Sequence, residues 1–170
     1  MACYAGALLR RVRGRGGRLL SVAGLAVGAV GATLGGHLGY RQATGANHAA
    51  RVPDIGPQDW VRLGPVAELP DGRPVRRFAG ETAVFVLRRG DEVTVLSDRC
   101  PHLGAPLHEG ELAGTGGDTR IVCPWHQSEF RLDGGLVHGP ATAPVPGFDI
   151  RIVGGELEAK VRTIPGLATG

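Results

Sequence analysis

The stretches Cys100-Pro101-His102-Leu103-Gly104-Ala105-Pro106-Leu107 and Cys123-Pro124-Trp125-His126-Gln127-Ser128-Glu129-Phe130 decide how this 170-residue chain is read. Each sets one thiol and one imidazole within three residues of each other. Twenty residues separate His102 from Cys123, enough for a hairpin that brings the two pairs face to face. Two sulfur and two nitrogen donors suit a tetrahedral zinc. They equally suit a two-iron cluster with thiolates on one iron and imidazoles on the other. Spacing alone leaves both open.

Outward from these loops the pattern is one of short strands. Trp60-Val61-Arg62-Leu63 alternates, and Pro70-Asp71-Gly72-Arg73 is a turn signal. Val75 to Phe78 and Thr82 to Leu87 are rich in β-formers, the second apolar enough for a buried strand. Arg89-Gly90-Asp91 turns the chain into Glu92 to Leu96. Further on, Phe148 to Ile152 alternates, and Gly154-Gly155 makes a two-residue turn into Glu156 to Val161, a strong hairpin signal. No long helix is expected in this half. The reading is an all-β domain over residues 57–164, with both motifs in loops at one end of its antiparallel sheets.

Composition agrees. Glycine reaches 29 and proline 12, against one Met and four Phe, a turn-rich balance. Arginine outnumbers lysine eighteen to one, which base composition of the gene explains without a functional demand. Residues 1–51 hold seven Arg and no acidic residue, leaving twelve basic against sixteen acidic residues beyond, a formal charge of −4. The basic overall balance therefore carries no argument for a nucleic-acid partner. Three cysteines build no disulfide framework, and Cys3 reads as an incidental thiol.

Leu19 to Leu38 runs without Asp, Glu, Lys or Arg. At about 1.5 Å per residue such a helix spans roughly 30 Å, one bilayer core. Gly24, Gly28, Gly31, Gly35 and Gly39 form a stripe that in lipid admits a close helix partner, whereas in water they weaken a helix. The expected layout is a basic segment 1–18, a transmembrane helix 19–40 in contact with membrane lipid, a linker 41–56, the β domain 57–164 and a tail 165–170. Five Arg before the span keep the amino end cytoplasmic by the positive-inside tendency, placing the domain on the other face of a bacterial plasma membrane. Arg10-Arg11 has the place of a twin-arginine export signal in poorly matching surroundings. Val30-Gly31-Ala32 is a tolerable peptidase site, but the apolar run continues past it and favours an uncleaved anchor. His37 and His48 are read as interfacial packing residues rather than haem or metal ligands.

The flanks of the two motifs separate zinc from iron–sulfur. The two quoted stretches closely resemble the cluster-binding loops of Rieske [2Fe–2S] proteins, and the likeness runs on through Leu132-Asp133-Gly134-Gly135 and Gly139-Pro140-Ala141 to the final hairpin. The resemblance implies one [2Fe–2S] cluster, with Cys100 and Cys123 on the inner iron and His102 and His126 on the outer. Two neutral imidazoles in place of thiolates leave the cluster less negative and easier to reduce. It further implies cluster contacts from Leu103, Gly104, Trp125, Ser128 and Pro140. Gly104 would let the backbone pass close to the sulfides, Trp125 would cover the cluster, and Gly139-Pro140-Ala141 would close it from the side.

Two departures stand out. High-potential members carry an extra cysteine in each loop, joined as a disulfide, where this chain has Ala105 and Trp125. Ser128 keeps the hydroxyl that reaches a sulfide in those members, while Phe130 lacks the second one. The expected potential is then intermediate within the class range of roughly −150 to +300 mV. Gln127 replaces the usual Gly, and a positive φ there would cost about 1 kcal/mol or more. His108 and His138 are surplus to a four-ligand set and are read as surface or supporting residues.

The resemblance implies one-electron transfer between protein partners, and the segment Gly36 to Arg41 with Gly45 to His48 resembles the last helix of membrane modules fused ahead of such domains. Only a few residues follow Val161, so the catalytic domain of a terminal oxygenase is not expected here. The alternatives are an electron-supplying component of an oxygenase or reductase, and a zinc-stabilised interaction domain.

Overall fold

Small and apolar residues dominate the start of the chain and β-formers the rest, and the two parts make separate compact units, Met1–Thr44 and Gly45–Gly170. The computed structural model describes residues 2–14, 17–41 and 46–162. Residues 42–45 of the expected linker and the 165–170 tail lie outside the described residues.

In the first unit the basic segment holds a helix the sequence reading did not anticipate, α1 (Ala2–Val12). Ala and Leu favour it, and Arg10 and Arg11 fall in its last turn, where the helix dipole welcomes cations. It packs on α2 (Arg18–Gly36), burying Ala7. The backbone of α2 continues as a π-helical turn over His37–Arg41. Leu19, Val22, Leu25, Val27, Val30 and Leu34 are all exposed, so α2 is apolar around most of its circumference. The stretch Arg18–Gly39 is long and apolar enough to cross a bilayer.

The second unit starts with a turn and a short helix, α3 (Val52–Ile55). Ten strands follow among the described residues: β1 (Val61–Pro65), β2 (Val75–Ala79), β3 (Thr82–Arg89), β4 (Glu92–Ser97), β5 (Glu111–Ala113), β6 (Arg120–Val122), β7 (Glu129–Arg131), β8 (Leu136–His138), β9 (Phe148–Val153) and β10 (Glu156–Val161). They form three antiparallel sheets ordered β1-β10-β9, β2-β3-β4 and β5-β6-β7-β8.

β3 shows why a continuous apolar run belongs here. Successive side chains on a strand point to opposite faces. Val84 and Val86 enter a core shared with Leu63, Phe148, Leu157 and Val161, whereas Phe85 and Leu87 enter a second core with Leu107, Ile121 and Phe130. Both cysteines of the motifs are buried in that second core. Removing a fully buried ring such as Phe130 would cost about 3–5 kcal/mol.

Residues 46–56, expected as part of a linker, pack onto the β unit. Asn47 Oδ1 accepts from Ala49 N–H at 2.9 Å, a side-chain-closed turn. Ala49 and Val52 are buried in the first core. The backbone N–H of His48 donates to Pro101 O at 2.8 Å. His48 is thus seated against the first motif loop. Its Nε2 is buried without a hydrogen-bond partner.

Candidate metal centre

The two motif loops are built to one plan. In loop one, Cys100 N–H donates to Ala105 O (2.9 Å) and Gly104 N–H to Cys100 O (2.9 Å). In loop two, Cys123 N–H donates to Ser128 O (2.8 Å) and Gln127 N–H to Cys123 O (3.1 Å). Each loop thus closes from its cysteine to the residues four and five further on. The fourth residue is left-handed in both, Gly104 at φ 78° and Gln127 at φ 59°. Gln127 is the sole non-glycine with positive φ among the described residues. The strain anticipated from its side chain is therefore present. A Cβ on Gly104 would stand 3.2 Å from Arg99 Nε, so the open side of this glycine faces that guanidinium.

The roots of the loops differ. Loop two springs from the paired strands β6 and β7, with Arg120 Nη1 2.8 Å from Glu129 Oε2. Loop one leaves β4 and returns as a 3-10 turn, Leu107–Glu109, with a single bridge between Arg99 and Pro106. The link is Asp98. Its backbone O accepts from Leu107 N–H (2.8 Å), and its buried carboxylate accepts from His108 N–H (2.8 Å), His108 Nδ1 (2.8 Å) and Arg76 Nε (2.8 Å). His108 is therefore engaged under loop one, while His138 stays exposed on β8. Asp98 and Arg76 escaped the sequence reading because they lie 22 residues apart. A buried-strand end carrying an Asp was the available signal.

The structure brings the four motif donors together as like with like. Cys100 and Cys123 are buried, within hydrogen-bonding reach of each other. The rings of His102 and His126 meet edge to face, centroids 4.8 Å apart at 86°. Backbone N–H groups of His102 and Leu103 are directed at the Cys100 sulfur, and those of His126 and Trp125 at the Cys123 sulfur. The hydrogen bond to Cys123, together with burial, pushes the Cys100 thiol far up. The same bond, helped by the backbone donors, holds Cys123 down at about 5. The hydrogen bond between them thus drives the two thiols apart, Cys100 upward and Cys123 downward.

The donor set has the features a two-iron, two-sulfide group requires. His102 Nδ1 is buried and has no hydrogen-bond partner, as a ring nitrogen reserved for a metal would be. Sulfur stands beside sulfur and imidazole beside imidazole, which matches two metal atoms with different donors. Among the described residues no three His, Cys, Asp or Glu side chains converge as ligands of one ion. The residues fit the group.

The remaining sequence candidates surround this centre. Ser128 is fully buried, and its Oγ accepts from Ala141 N–H at 2.9 Å, tying the third loop to the second. Pro140 follows a cis peptide bond in that loop and is exposed. Leu103 is 40% exposed and Trp125 56%. The indole meets His126 edge-on at 6.4 Å and stands largely in solvent. Ala105 is buried, and the three cysteines are free.

Comparison with known proteins gives the same picture. A family model described as Rieske [2Fe-2S] domain matches residues 59–149. The chain is 36% identical over 104 residues to the anthranilate 1,2-dioxygenase ferredoxin subunit of Burkholderia cepacia, covering 61% of this chain and 93% of that protein. It is 27% identical over 101 residues to the cytochrome b6-f complex iron-sulfur subunit of Chlorobaculum tepidum, covering 59% of this chain and 53% of that one. Among solved structures, the ferredoxin of carbazole 1,9a-dioxygenase from Nocardioides aromaticivorans IC177 superposes with a TM-score of 0.54 at 29% identity, covering 59% of this chain and 95% of that one.

Proposed function

The chain belongs to the Rieske [2Fe–2S] domain family, and on that footing we propose that Cys100 and Cys123 hold one iron of its cluster and His102 and His126 the other. Rieske proteins are electron-transfer proteins, and when bound such a cluster accepts and returns one electron. The observation that carries the ligand assignment is the pairing of two buried thiols beside two facing imidazoles. Cys100 and Cys123 keep their end of the site dry, while His126 reaches solvent. The exposed His126, with Leu103 and Trp125 beside the ring pair, makes this tip the docking face for a redox partner. Ser128 orients the third loop and leaves its own hydroxyl proton to donate inward.

The partner class is supported by likeness. At 36% identity to a dioxygenase ferredoxin subunit, this domain is read as the carrier that supplies electrons to an oxygenase or reductase. The Arg18–Gly39 stretch is read as its membrane anchor, lipid-facing, with the glycine stripe available to a neighbouring helix.

Purified protein should contain iron and acid-labile sulfide in equal amounts, and dithionite should bleach its visible absorption and raise a rhombic EPR signal. Zinc without sulfide would overturn the assignment. The protein should also stay with the membrane fraction through an alkaline carbonate wash, and release by that wash would overturn the anchor.

A further inference from the structure

Loop one lacks the strand pairing that roots loop two. Beyond Ser97 its two arms share one bridge, Arg99 with Pro106, before the chain turns at the cysteine. Asp98 supplies what a neighbouring strand would. It is 2% exposed, and its carboxylate is held from two separate parts of the fold, β2 and the returning arm of the loop. Arg76 Nε reaches Oδ2 from β2 (2.8 Å). The backbone N–H of His108 reaches Oδ1 (2.8 Å), and its ring Nδ1 reaches Oδ2 (2.8 Å) and Oδ1 (3.0 Å) from the returning arm. A carboxylate accepts, so Nδ1 carries the proton in these bonds. Asp98 N–H donates to Ala83 O (3.1 Å), fixing the residue to β3.

We infer that Asp98, clasped by Arg76 and His108, is the positioning residue for loop one, setting where Cys100 and His102 stand relative to Cys123 and His126. The inference rests on the ligand assignment above. Buried charge-assisted hydrogen bonds are short, directional and costly to leave half-made. A clasp of three such bonds at the root of a nine-residue excursion, Arg99 to Leu107, therefore fixes its register. Loop two needs no counterpart, because Val122 and Glu129 are already paired across β6 and β7.

The test uses the purified full-length chain and measures iron release to a chelator, the EPR g-values of the reduced protein, and urea unfolding. His108→Ala and Asp98→Asn are each expected to release iron about tenfold faster and to shift the g-values, with far-UV circular dichroism retained. Combined, they should release no faster than the faster single variant, since both break one clasp. His108→Asn, which can return an N–H toward Asp98, should restore the wild-type rate and spectrum. Thr119→Val is the control for plain destabilisation, because it breaks the Arg89–Thr119 bond (2.7 Å) at the opposite end of β3. It should leave release and g-values unchanged.

Release within about twofold of wild type for His108→Ala, with an unchanged spectrum, would overturn the inference. So would equal acceleration by Thr119→Val, or failure of His108→Asn to restore the wild-type values. If Asp98→Asn does not fold, the two His108 variants decide alone. A wild-type protein without iron and sulfide would instead overturn the ligand assignment.

Discussion

The backbone N–H of Ala141 donates to Ser128 Oγ at 2.9 Å, so a buried hydroxyl joins the second and third loops and has its own proton left to give. Ser128→Ala removes both roles. A hydrogen bond to a charged acceptor contributes about 1.5–3 kcal/mol, which for one electron corresponds to a fall in midpoint potential on the order of 65–130 mV. Voltammetry of the purified protein checks the sign. An unchanged or raised potential would mean that the hydroxyl does not stabilise the reduced state.

Gln127 and Gly104 share one loop position and one left-handed backbone, but only one of them is a glycine. Gln127→Gly relieves strain of about 1–3 kcal/mol and gives back roughly 0.5–1 in unfolded-state entropy, a net gain of about 1 kcal/mol. Gly104→Ala should lose a similar amount, since its Cβ is strained by φ and crowds Arg99. Urea denaturation of both variants gives the comparison. Equal stabilities would mean that the left-handed turn is not maintained in solution.

The thiol pair gives the cluster-free chain a pH dependence of calculable sign. Cys123 lies below its ordinary value of 9.0, at about 5, so its contribution is complete above pH 9 and lost as pH falls through about 5. Cys100 is raised from the same ordinary value, so its contribution is complete below pH 9 and lost as pH rises beyond it. Together they make the stability advantage over a Cys123→Ala variant grow between pH 5 and 9. Thiolate ultraviolet absorbance should show one group ionising near pH 5 in the folded state. In a Cys3→Ser chain, two groups ionising together near pH 9 would contradict this split between the two thiols.

Val52 belongs to the core, not to a tether. Val52→Ala should therefore destabilise the β unit by about 1–3 kcal/mol, where the same change in a solvated linker costs nothing measurable. Chemical denaturation followed by tryptophan fluorescence reports it through Trp60. An unaffected midpoint would return residues 46–56 to the status of a linker.

Much of this structure was written locally. Gly154-Gly155 has φ of 60° and 84°, the two positive values a tight hairpin needs, and the β9–β10 ladder runs unbroken from that turn. Thr82 to Leu87 is apolar at every other position on both faces because two cores claim it. The four motif donors stand in adjacent loops, as spacing and flanks implied. What escaped was long-range or too short to show a period. The clasp on Asp98 joins Arg76 and His108 across three elements, and no single window contains them. The Ala49 and Val52 contacts come from a turn and a four-residue helix, which leave no periodicity to read. Pro53, Pro57 and the polar neighbours look the same in a tether and in a packed strap.

The matching plan of the two loops is broken in one respect. Loop one carries its imidazole two residues after the cysteine, loop two three residues after it. The places this offset vacates hold Leu103 in the first loop and Trp125 in the second, both substantially exposed. The near-symmetry of the base therefore ends in a lopsided tip, with a small aliphatic group on one side and a large aromatic on the other. The face around the two rings therefore has a left and a right, set by where each imidazole follows its cysteine.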